Sequence, residues 1–406
     1  MNILVINGDC IQTNSSANLC HLSYINGLIE AGHKVSLLCA DGKDYKLDES
    51  LTIPAKVTQY VYYGVSIYEK LSLKRKSNNT NIDFFSHVAV ADTKKRNFKE
   101  VLINKLKKFV LSLYGVHSTY ICFVNKAKHF KCKEKFDYVI SISTPVTSHL
   151  LAYKLIKKKH IKYDNWIQIW EDPWWGDIYG FNNEKSKYKE ERRLLSFAEH
   201  ICYVSPLTLK NRQEVFPESA DKMFWQPLPS YYVGETVEAK SHNVYGYFGD
   251  YAPASRELKQ FYLAAKDNNI EVNICGNPSN LFEATNSITI HPRLPLNKLK
   301  VIEDKTNVLI FLCNRQGGQI PGKIYQYSAT NKTILFILDG TEEEKKVLKE
   351  YFSKYNRYVF CENTVEDISR AIKDIESGNI GDVKNVPLDC FNSKDIIQNI
   401  LDCKNG

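Results

Sequence analysis

The chain has 406 residues, of which 43% are hydrophobic and 25% charged, a composition typical of folded proteins and not of disordered chains or fibres. This length exceeds one ordinary core and suits two domains. The net charge is +8: residues 1–200 carry 30 Lys and Arg against 20 Asp and Glu, whereas residues 201–406 carry 24 against 26. We therefore expect the first half to meet an acidic partner, either anionic lipid head groups or a phosphate-bearing acceptor. We expect no nucleic-acid partner, because no helix-turn-helix, zinc-finger or RNP motif is present.

The cysteines and the first residues indicate the compartment. Eleven cysteines are scattered from Cys10 to Cys403 without a C-x-x-C pair, which favours reduced thiols over disulfides or a zinc cluster. The opening MNILVINGD predicts a strand and lacks the regions of a signal peptide, and polar residues interrupt every apolar run before it reaches the length of a membrane span. We expect a cytoplasmic protein, either free or peripheral on the cytoplasmic face of the membrane.

Apolar strands and amphipathic helices alternate along the chain, which predicts parallel α/β architecture. Asn2–Asn7 predicts the first strand, Gly8 the turn after it, and Ser15–Gly32 a helix with one apolar face. The next predicted strands are Val35–Cys39, Phe136–Ser143, Trp166–Trp170 and Ile201–Ser205.

Residues 60–135 fit this alternation poorly and are interpreted as a basic insertion. They contain Lys74-Arg75-Lys76, Lys94-Lys95-Arg96 and a predicted helix over Phe98–Leu113 with most of its apolar side chains on one side. Such a helix can lie in a membrane interface, or it can pack on the domain core with its lysines in water. Both alternatives stay open, and core packing is favoured because apolar faces usually meet protein.

Two prolines within Gln226–Ser230 predict a stiff link between domains. The alternation then restarts with strand Val244–Phe248, a turn at Gly249, helix Ser255–Asn268 and strand Glu271–Cys275. We expect a first domain over 1–225, a second over 226–390, and a closing helix over 391–406 that returns to the first domain.

The second domain contains the most informative segment. Val308–Cys313 and Thr333–Leu338 are unbroken apolar runs, typical of strands covered on both faces. A helix predicted over Gly322–Ala329 lies between them. Its first N–H groups have no internal partner and Lys323 adds positive charge, so we expect a phosphate at its start.

A loop in the first domain combines aromatic rings with carboxylates. The segment Glu171–Asp177 follows a strand, where ligands bind in open α/β sheets. Aromatic rings beside carboxylates are common where proteins hold sugars. Asp172 is the first candidate to orient or deprotonate the hydroxyl of a bound sugar and Glu171 the second. The remaining candidate contacts for that sugar are Gly8, Trp174 and Trp175. Alternatively, the tryptophans are core residues and Asp172 caps a turn.

The segment IPGKIYQY at Ile320–Tyr327, followed by a turn and an apolar strand, resembles the donor-binding region of glycosyltransferase family 4-like enzymes. The resemblance implies a GT-B fold, in which two Rossmann-like, doubly wound parallel-sheet domains face a cleft. The first domain then holds the acceptor and the second holds the nucleotide-sugar donor. In that family an acidic helix residue holds the ribose hydroxyls and a second lies eight positions earlier; Gln326 and Gly318 stand at these places.

The resemblance also implies the donor contacts. The family has a Gly followed by an Arg and then a Lys at the donor phosphates; Gly249 matches the Gly, Asp250 stands at the Arg and Arg256 lies close to the Lys. The other candidates for the diphosphate clamp are Arg315, Gly317, Gly318 and Lys323. The implied reaction is retaining transfer of a sugar to a saccharide or lipid-linked saccharide, in the synthesis of a cell-surface polysaccharide or glycolipid.

We expect neither a metal nor another cofactor, because no D-x-D triplet is present and the nucleotide sugar is a substrate. Two alternatives stay open: a sugar-nucleotide-binding or scaffold protein of this fold that has lost turnover, and a nucleotide-sugar epimerase. A nicotinamide oxidoreductase fits less well, because Gly8 lacks the G-x-G-x-x-G pattern.

Overall fold

A computed structural model describes residues 1–70, 109–177, 185–230 and 242–406. The chain divides into two units. The first comprises Met1–Val204, Leu209–Gln226 and Gln398–Gly406, and the second comprises Ser205–Thr208 and Pro227–Ile397. Each unit contains one parallel sheet with helices between its strands.

The first unit contains a seven-stranded sheet in the order β3-β2-β1-β4-β5-β6-β7, in which every neighbouring pair is parallel. Its strands are β1 (Asn2–Asn7), β2 (Lys34–Ala40), β3 (Thr58–Tyr62), β4 (Lys135–Ser143), β5 (Lys162–Trp170), β6 (His200–Tyr203) and β7 (Met223–Trp225). The helices up to this point are α1 (Ser16–Glu30), α2 (Ile121–Ala127), α3 (Thr147–Lys157), α4 (Lys185–Phe197) and α5 (Pro206–Val215).

The second unit contains a six-stranded sheet in the order β10-β9-β8-β11-β12-β13, again parallel throughout. Its strands are β8 (Val244–Phe248), β9 (Glu271–Cys275), β10 (Ile288–His291), β11 (Val308–Leu312), β12 (Thr333–Leu338) and β13 (Val359–Glu362). The later helices are α6 (Lys259–Asp267), α7 (Leu296–Asp304), α8 (Lys323–Ser328), α9 (Glu342–Ser353), α10 (Val365–Glu376) and α11 (Ser393–Leu401).

The central strands are buried along their length, as their apolar sequences predict. Residues 3–7 of β1, all of β8 and all of β11 are buried, because helices cover both faces of a parallel sheet. Strand β3 lies at the sheet edge and is more exposed than the central strands: Thr58, Gln59 and Val61 are exposed, and Tyr60 and Tyr62 are half-buried.

Side-chain caps fix where several helices begin. Ser15 Oγ accepts the amide hydrogen of Asn18 at the start of α1. Thr341 and Glu344 form a reciprocal capping box at the start of α9. These contacts satisfy amides that have no partner within the helix, which contributes roughly 1 kcal/mol per cap.

Strands were predicted more accurately than helix starts. Four strands, β1, β8, β9 and β12, have the predicted bounds. The helix predicted from Ser255 begins only at Lys259, because the amides of Ser255 and Arg256 donate to the Ala252 carbonyl in a turn that precedes it. That turn places Arg256 on a loop instead of a helix.

Much of the predicted basic insertion, including both Lys and Arg clusters and residues 98–108 of its predicted helix, lies outside the described residues. Two apolar side chains near the end of that helix, Phe109 and Leu113, are exposed by 62% and 71%. None of the described helices has the length and apolar character needed to cross a membrane.

Candidate functional site

The strand order of the second unit predicts where it binds ligands. Chain order runs outward from β8 through β9 to β10 on one side and from β11 through β12 to β13 on the other. The loops after β8 and β11 therefore diverge at the carboxyl edge of the sheet, which is the usual ligand position in doubly wound folds. These two loops carry Gly249, Arg256 and Arg315.

Hydrogen bonds bring the two loops together. Arg256 donates from Nε to Asn314 Oδ1 at 2.8 Å and from Nη1 to the Asp250 carbonyl at 3.2 Å. Arg315 donates from Nη1 to the Pro253 carbonyl at 3.0 Å. A Cβ atom built on Gly249 would lie 3.7 Å from Arg256 Nη1. Arg256 thus lies beside the glycine turn and Arg315 contacts the same loop four residues further on, and guanidinium groups are suited to binding an anion.

Asp250, which departs from the family pattern, has a structural role. Its carboxylate accepts the amide hydrogen of Asn277 at 3.0 Å and lies 3.4 Å from Arg293 Nη1. It therefore ties the loop after β8 to the loops that follow β9 and β10. At the same junction a Cβ built on Gly276 would lie 1.9 Å from the Gly249 carbonyl oxygen, so only glycine allows this backbone approach.

Gly317 and Gly318 form a left-handed turn with φ values of +94° and +67°. The Gly318 amide donates to Glu344 Oε1 at 3.1 Å, and its carbonyl accepts from Ser205 Oγ at 2.6 Å. The amide predicted to meet a donor phosphate therefore contacts a carboxylate of the protein. The role of Gly317 and Gly318 in donor binding stays a prediction.

Lys323, the first residue of α8, pairs with a carboxylate of the second unit. The Lys323 ammonium lies 3.1 Å from Glu303 Oε1, and its side chain is 28% exposed. Helix α8 has only six residues, and the amides of Ile324 and Tyr325 donate to Pro321 and Gly322 at 3.3 Å. These two amides are engaged within the protein, so the expectation of a phosphate at this helix start depends more heavily on Lys323.

Gln326 is 5% exposed and lines a cavity of about 20 Å³ together with Glu303 and Lys332. Such a volume holds about one water molecule. Its predicted contact with the ribose stays a prediction, as does the donor contact of Lys323.

In the first unit, Gly8 lies where the strand order reverses between β1 and β4. Its amide donates to Ser148 Oγ at 2.8 Å. A Cβ at this position would lie 2.8 Å from Thr147 Oγ1 and 2.9 Å from Pro145 Cγ. Close packing of β1 against the start of α3 therefore explains the glycine, and acceptor contact by Gly8 stays a prediction.

Glu171 and Asp172 directly follow β5. Glu171 is 8% exposed, and its Oε2 lies 3.3 Å from Nε2 of the fully buried His21. Burial raises the pKa of Glu171 although His21 lowers it. Asp172 is half-buried. Sequence reasoning missed the pairing of Glu171 with His21, because nothing local relates a residue of α1 to the end of β5.

The two loop tryptophans are held by residues that the sequence did not single out. The Trp174 ring stacks on His117 with centroids 5.1 Å apart and 18° between planes. The Trp175 amide donates to Glu191 Oε2 at 2.6 Å, and its carbonyl accepts from Arg212 Nη1 at 2.8 Å. Trp174 and Trp175 are only half-buried, whereas Trp166 and Trp170 of β5 are fully buried, so the alternative prediction of core tryptophans holds for the strand and not for the loop.

A cavity of about 430 Å³ lies at the carboxyl ends of β1 and β2, a size typical of small-molecule sites. Its lining combines hydrogen-bonding and apolar side chains: Cys10, Ile11, Gln12, Cys39, Ala40, Asp41, Gly42, Lys43, Tyr45, Leu47, Ile53, Gln59 and Val61. Beside Cys10, burial raises the pKa of Asp9 to about 6. Glu171 was singled out because ligands often bind directly after a strand of a parallel sheet. The same rule applied to β2 could have singled out Asp41 and Lys43.

Within the described ranges no group of three or more His, Cys, Asp or Glu side chains is placed to hold a metal ion.

Comparison with known proteins identifies the fold. No family model and no curated protein matches the sequence. A glycosyltransferase from Rickettsia africae ESF-5 matches with a TM-score of 0.50 and 11% identity, covering 99% of this chain and 97% of that one. The structure described as "Trehalose-6-phosphate from E. coli bound with UDP-2-fluoro glucose" matches with a TM-score of 0.52 and 8% identity, covering 99% and 96%.

The chain has the α/β fold of GT-B glycosyltransferases. The fold class predicted from the sequence is therefore confirmed. The narrower resemblance to family 4 stays a prediction.

Proposed function

We propose that this protein transfers a sugar from a nucleotide-sugar donor to a saccharide or lipid-linked saccharide acceptor. The observation that carries the proposal is that Arg256 lies beside the Gly249 turn and Arg315 contacts the same loop at Pro253, where the strand order of the second sheet reverses. Guanidinium groups beside a glycine turn bind phosphate oxygens, and they stabilise the charge of a leaving nucleoside diphosphate. The likeness to a structure bound to UDP-2-fluoro glucose supports this choice of donor.

The first unit has two separate features suited to an acceptor. Asp172 and Trp174 combine a carboxylate with an aromatic face, and the 430 Å³ cavity adds amide, carboxylate and ammonium groups. Carboxylates accept from sugar hydroxyls, and Asp172 would orient or deprotonate the attacking one. We further propose retention of anomeric configuration, independence of metal, and a role in surface polysaccharide or glycolipid synthesis on the cytoplasmic face of the membrane.

A donor screen tests this proposal. Sugars linked to uridine, guanosine and cytidine diphosphate are added singly, and the melting temperature is recorded, because a ligand of the native state raises it. The donor that stabilises the protein is then incubated with candidate saccharide acceptors, and the products are identified by mass spectrometry. We expect one nucleotide class to raise the melting temperature and a glycosylated product to form. No stabilisation by any of the three classes would contradict the proposal.

A second candidate is a sugar-nucleotide-binding protein of this fold without turnover. The engagement of Lys323 by Glu303, and Gln326 at the family's carboxylate position, favour it. It predicts donor stabilisation without donor consumption under any acceptor condition. An epimerase would instead convert the donor without any acceptor, which product analysis of that reaction separates from transfer.

A further inference from the structure

A buried ion pair in the first unit holds the main chain of one loop residue from both sides. Glu191 on α4 is 0% exposed and Arg212 on α5 is 3% exposed, and their closest charged atoms lie 3.4 Å apart. Glu191 accepts the Trp175 amide hydrogen at 2.6 Å, while Arg212 donates to the Trp175 carbonyl at 2.8 Å. Both polar main-chain groups of Trp175 are thus bound by opposite charges of a single pair.

The neighbouring tryptophan is held by the same helix. Glu190, adjacent to Glu191 on α4, lies 2.9 Å from His117 Nε2, and the His117 ring stacks on Trp174. Burial opposes ionisation of Glu190, but hydrogen bonds from His117 and Arg193 lower its pKa to about 2. Glu191 therefore binds the main chain of Trp175. The adjacent Glu190 binds the His117 ring that stacks on Trp174.

Packing alone does not require charged groups at this position. Burial of charge is costly, and an apolar pair of similar volume often stabilises a fold equally well. What a charged pair adds here is directional hydrogen bonding to the Trp175 amide and carbonyl, which fixes the orientation of that peptide. Gly176 follows with a φ of +79°, so the loop turns sharply directly after the fixed residue.

We propose that Glu191 and Arg212 are positioning residues that hold the Glu171–Asp177 loop in the conformation that presents Asp172 and Trp174 to the acceptor. This inference rests on the proposed glycosyl transfer. Neither Glu191 nor Arg212 would touch the acceptor, because both are buried behind the loop. Their effect would be on acceptor orientation, to which transfer rates are highly sensitive.

Conservative variants test the loop itself and the reaction separately. Glu191→Gln keeps the side-chain volume and an oxygen that can accept from Trp175, but removes the charge opposite Arg212. Arg212→Lys keeps a charge but lacks the forked donors. Arg192→Gln is the matched control, because Arg192 lies beside Glu191 on α4, is 56% exposed and pairs with Glu218. Hydrogen exchange of peptides covering 171–177 reports loop opening, and thermal melting shows that each variant is folded.

We expect folded Glu191→Gln to exchange faster over 171–177 and to raise the acceptor KM or lower kcat by about tenfold to a hundredfold. Donor KM and donor hydrolysis without acceptor should stay unchanged. Arg212→Lys should show a smaller effect in the same direction, and Arg192→Gln none. If Arg212→Lys does not fold, Glu191→Gln alone decides the outcome.

Unchanged loop exchange in folded Glu191→Gln would overturn the inference, as would faster exchange with unchanged acceptor kinetics. If the wild-type protein consumes no donor, the proposed function fails while the exchange measurement still decides whether the pair holds the loop. The two failures are therefore distinguishable.

Discussion

The carboxylate of Glu191 accepts the main-chain hydrogen of Trp175 at 2.6 Å, and this contact makes the loop sensitive to the charge of one buried group. Burial raises the pKa of Glu191 to about 7, although Arg212 and the amides of Trp174 and Trp175 act to lower it. Tyr203 on β6 also interacts electrostatically with this carboxylate, and burial raises the pKa of Tyr203. Burial therefore makes this carboxylate take up a proton at a higher pH than an ordinary glutamate does.

Acceptor transfer should decrease as the pH falls below about 7, because protonated Glu191 no longer neutralises Arg212 and holds Trp175 less firmly. The measurement is acceptor kcat/KM between pH 5.5 and 8.5 for the wild type and for Glu191→Gln. We expect the acidic limb to be absent from Glu191→Gln. An identical limb in both proteins would assign it to another group, such as Asp9.

Stability should respond to pH in the opposite sense. The folded-state pKa of Glu191 lies above the value of an unfolded glutamate, so the folded protein binds the proton more tightly. Binding of this proton raises the unfolding free energy by its full amount below about pH 4.5. That stabilisation is lost as the pH rises through about 7, and the unfolding free energy falls by up to about 3 kcal/mol. Urea unfolding at pH 5.5 and 8 should show this loss as a difference between the wild type and Glu191→Gln; equal pH dependence would contradict it.

The cavity of the first unit should admit the acceptor. Gln59 is an exposed residue of β3 that lines the cavity, so Gln59→Trp should obstruct it and raise the acceptor KM about tenfold or more. Thr58→Trp is the matched control, because side chains alternate along a strand and Thr58 faces away from the cavity lining. Donor KM should be unchanged in both variants. Equal acceptor kinetics in the two variants would exclude this cavity as the acceptor site.

Two glycines of the second unit should respond differently to alanine. Gly276→Ala places a Cβ 1.9 Å from the Gly249 carbonyl oxygen, so we expect a loss of about 1–3 kcal/mol in unfolding free energy. Gly249→Ala meets only ordinary contacts at 3.7 Å and should fold normally while weakening donor affinity, because the Cβ obstructs approach of the diphosphate. Chemical denaturation and donor titration measure the two effects. Normal donor affinity in Gly249→Ala would contradict a phosphate at this turn.

Substitution of Lys323 tests whether its ammonium binds the donor or only pairs with Glu303. Lys323→Met should lower stability by about 1 kcal/mol, since the pair is partly exposed, and raise the donor KM at least about tenfold through loss of charge stabilisation. Lys346→Met is the control, because Lys346 also pairs with a carboxylate, that of Glu350 on α9, and is 75% exposed. A stability loss with unchanged donor kinetics would assign Lys323 a structural role alone.

The sequence predicted the strands well because their signal is local. Val244–Phe248 and Thr333–Leu338 are apolar runs bounded by polar residues, and burial on both faces needs nothing more. The start of α6 was predicted too early, because a turn closed by the Ala252 carbonyl competes with the first helical turn. Asn314 and Arg315 on the loop after β11 also contact Arg256 and Ser255 of this turn, and no local pattern encodes those contacts.

The candidate site was predictable only in part. Carboxylates and rings at a strand end pointed to Glu171–Asp177, and a glycine after a strand pointed to Gly249. The partners of these residues, Glu191 and Arg212 for Trp175 and Glu344 for Gly318, lie far away in sequence. Their pairing follows from how helices pack on the sheets, and a single sequence contains no signal for it.

Donor binding by Arg256 is the most direct test of glycosyl transfer by this protein. Isothermal titration with the stabilising nucleoside diphosphate compares the wild type with Arg256→Met, and with Arg370→Met as a control on an exposed arginine of α10. Removal of a guanidinium from a diphosphate should weaken binding by about tenfold to a hundredfold, with Arg370→Met unchanged. Equal affinity in a folded Arg256→Met protein, or no binding by the wild type, would contradict a donor site at this loop.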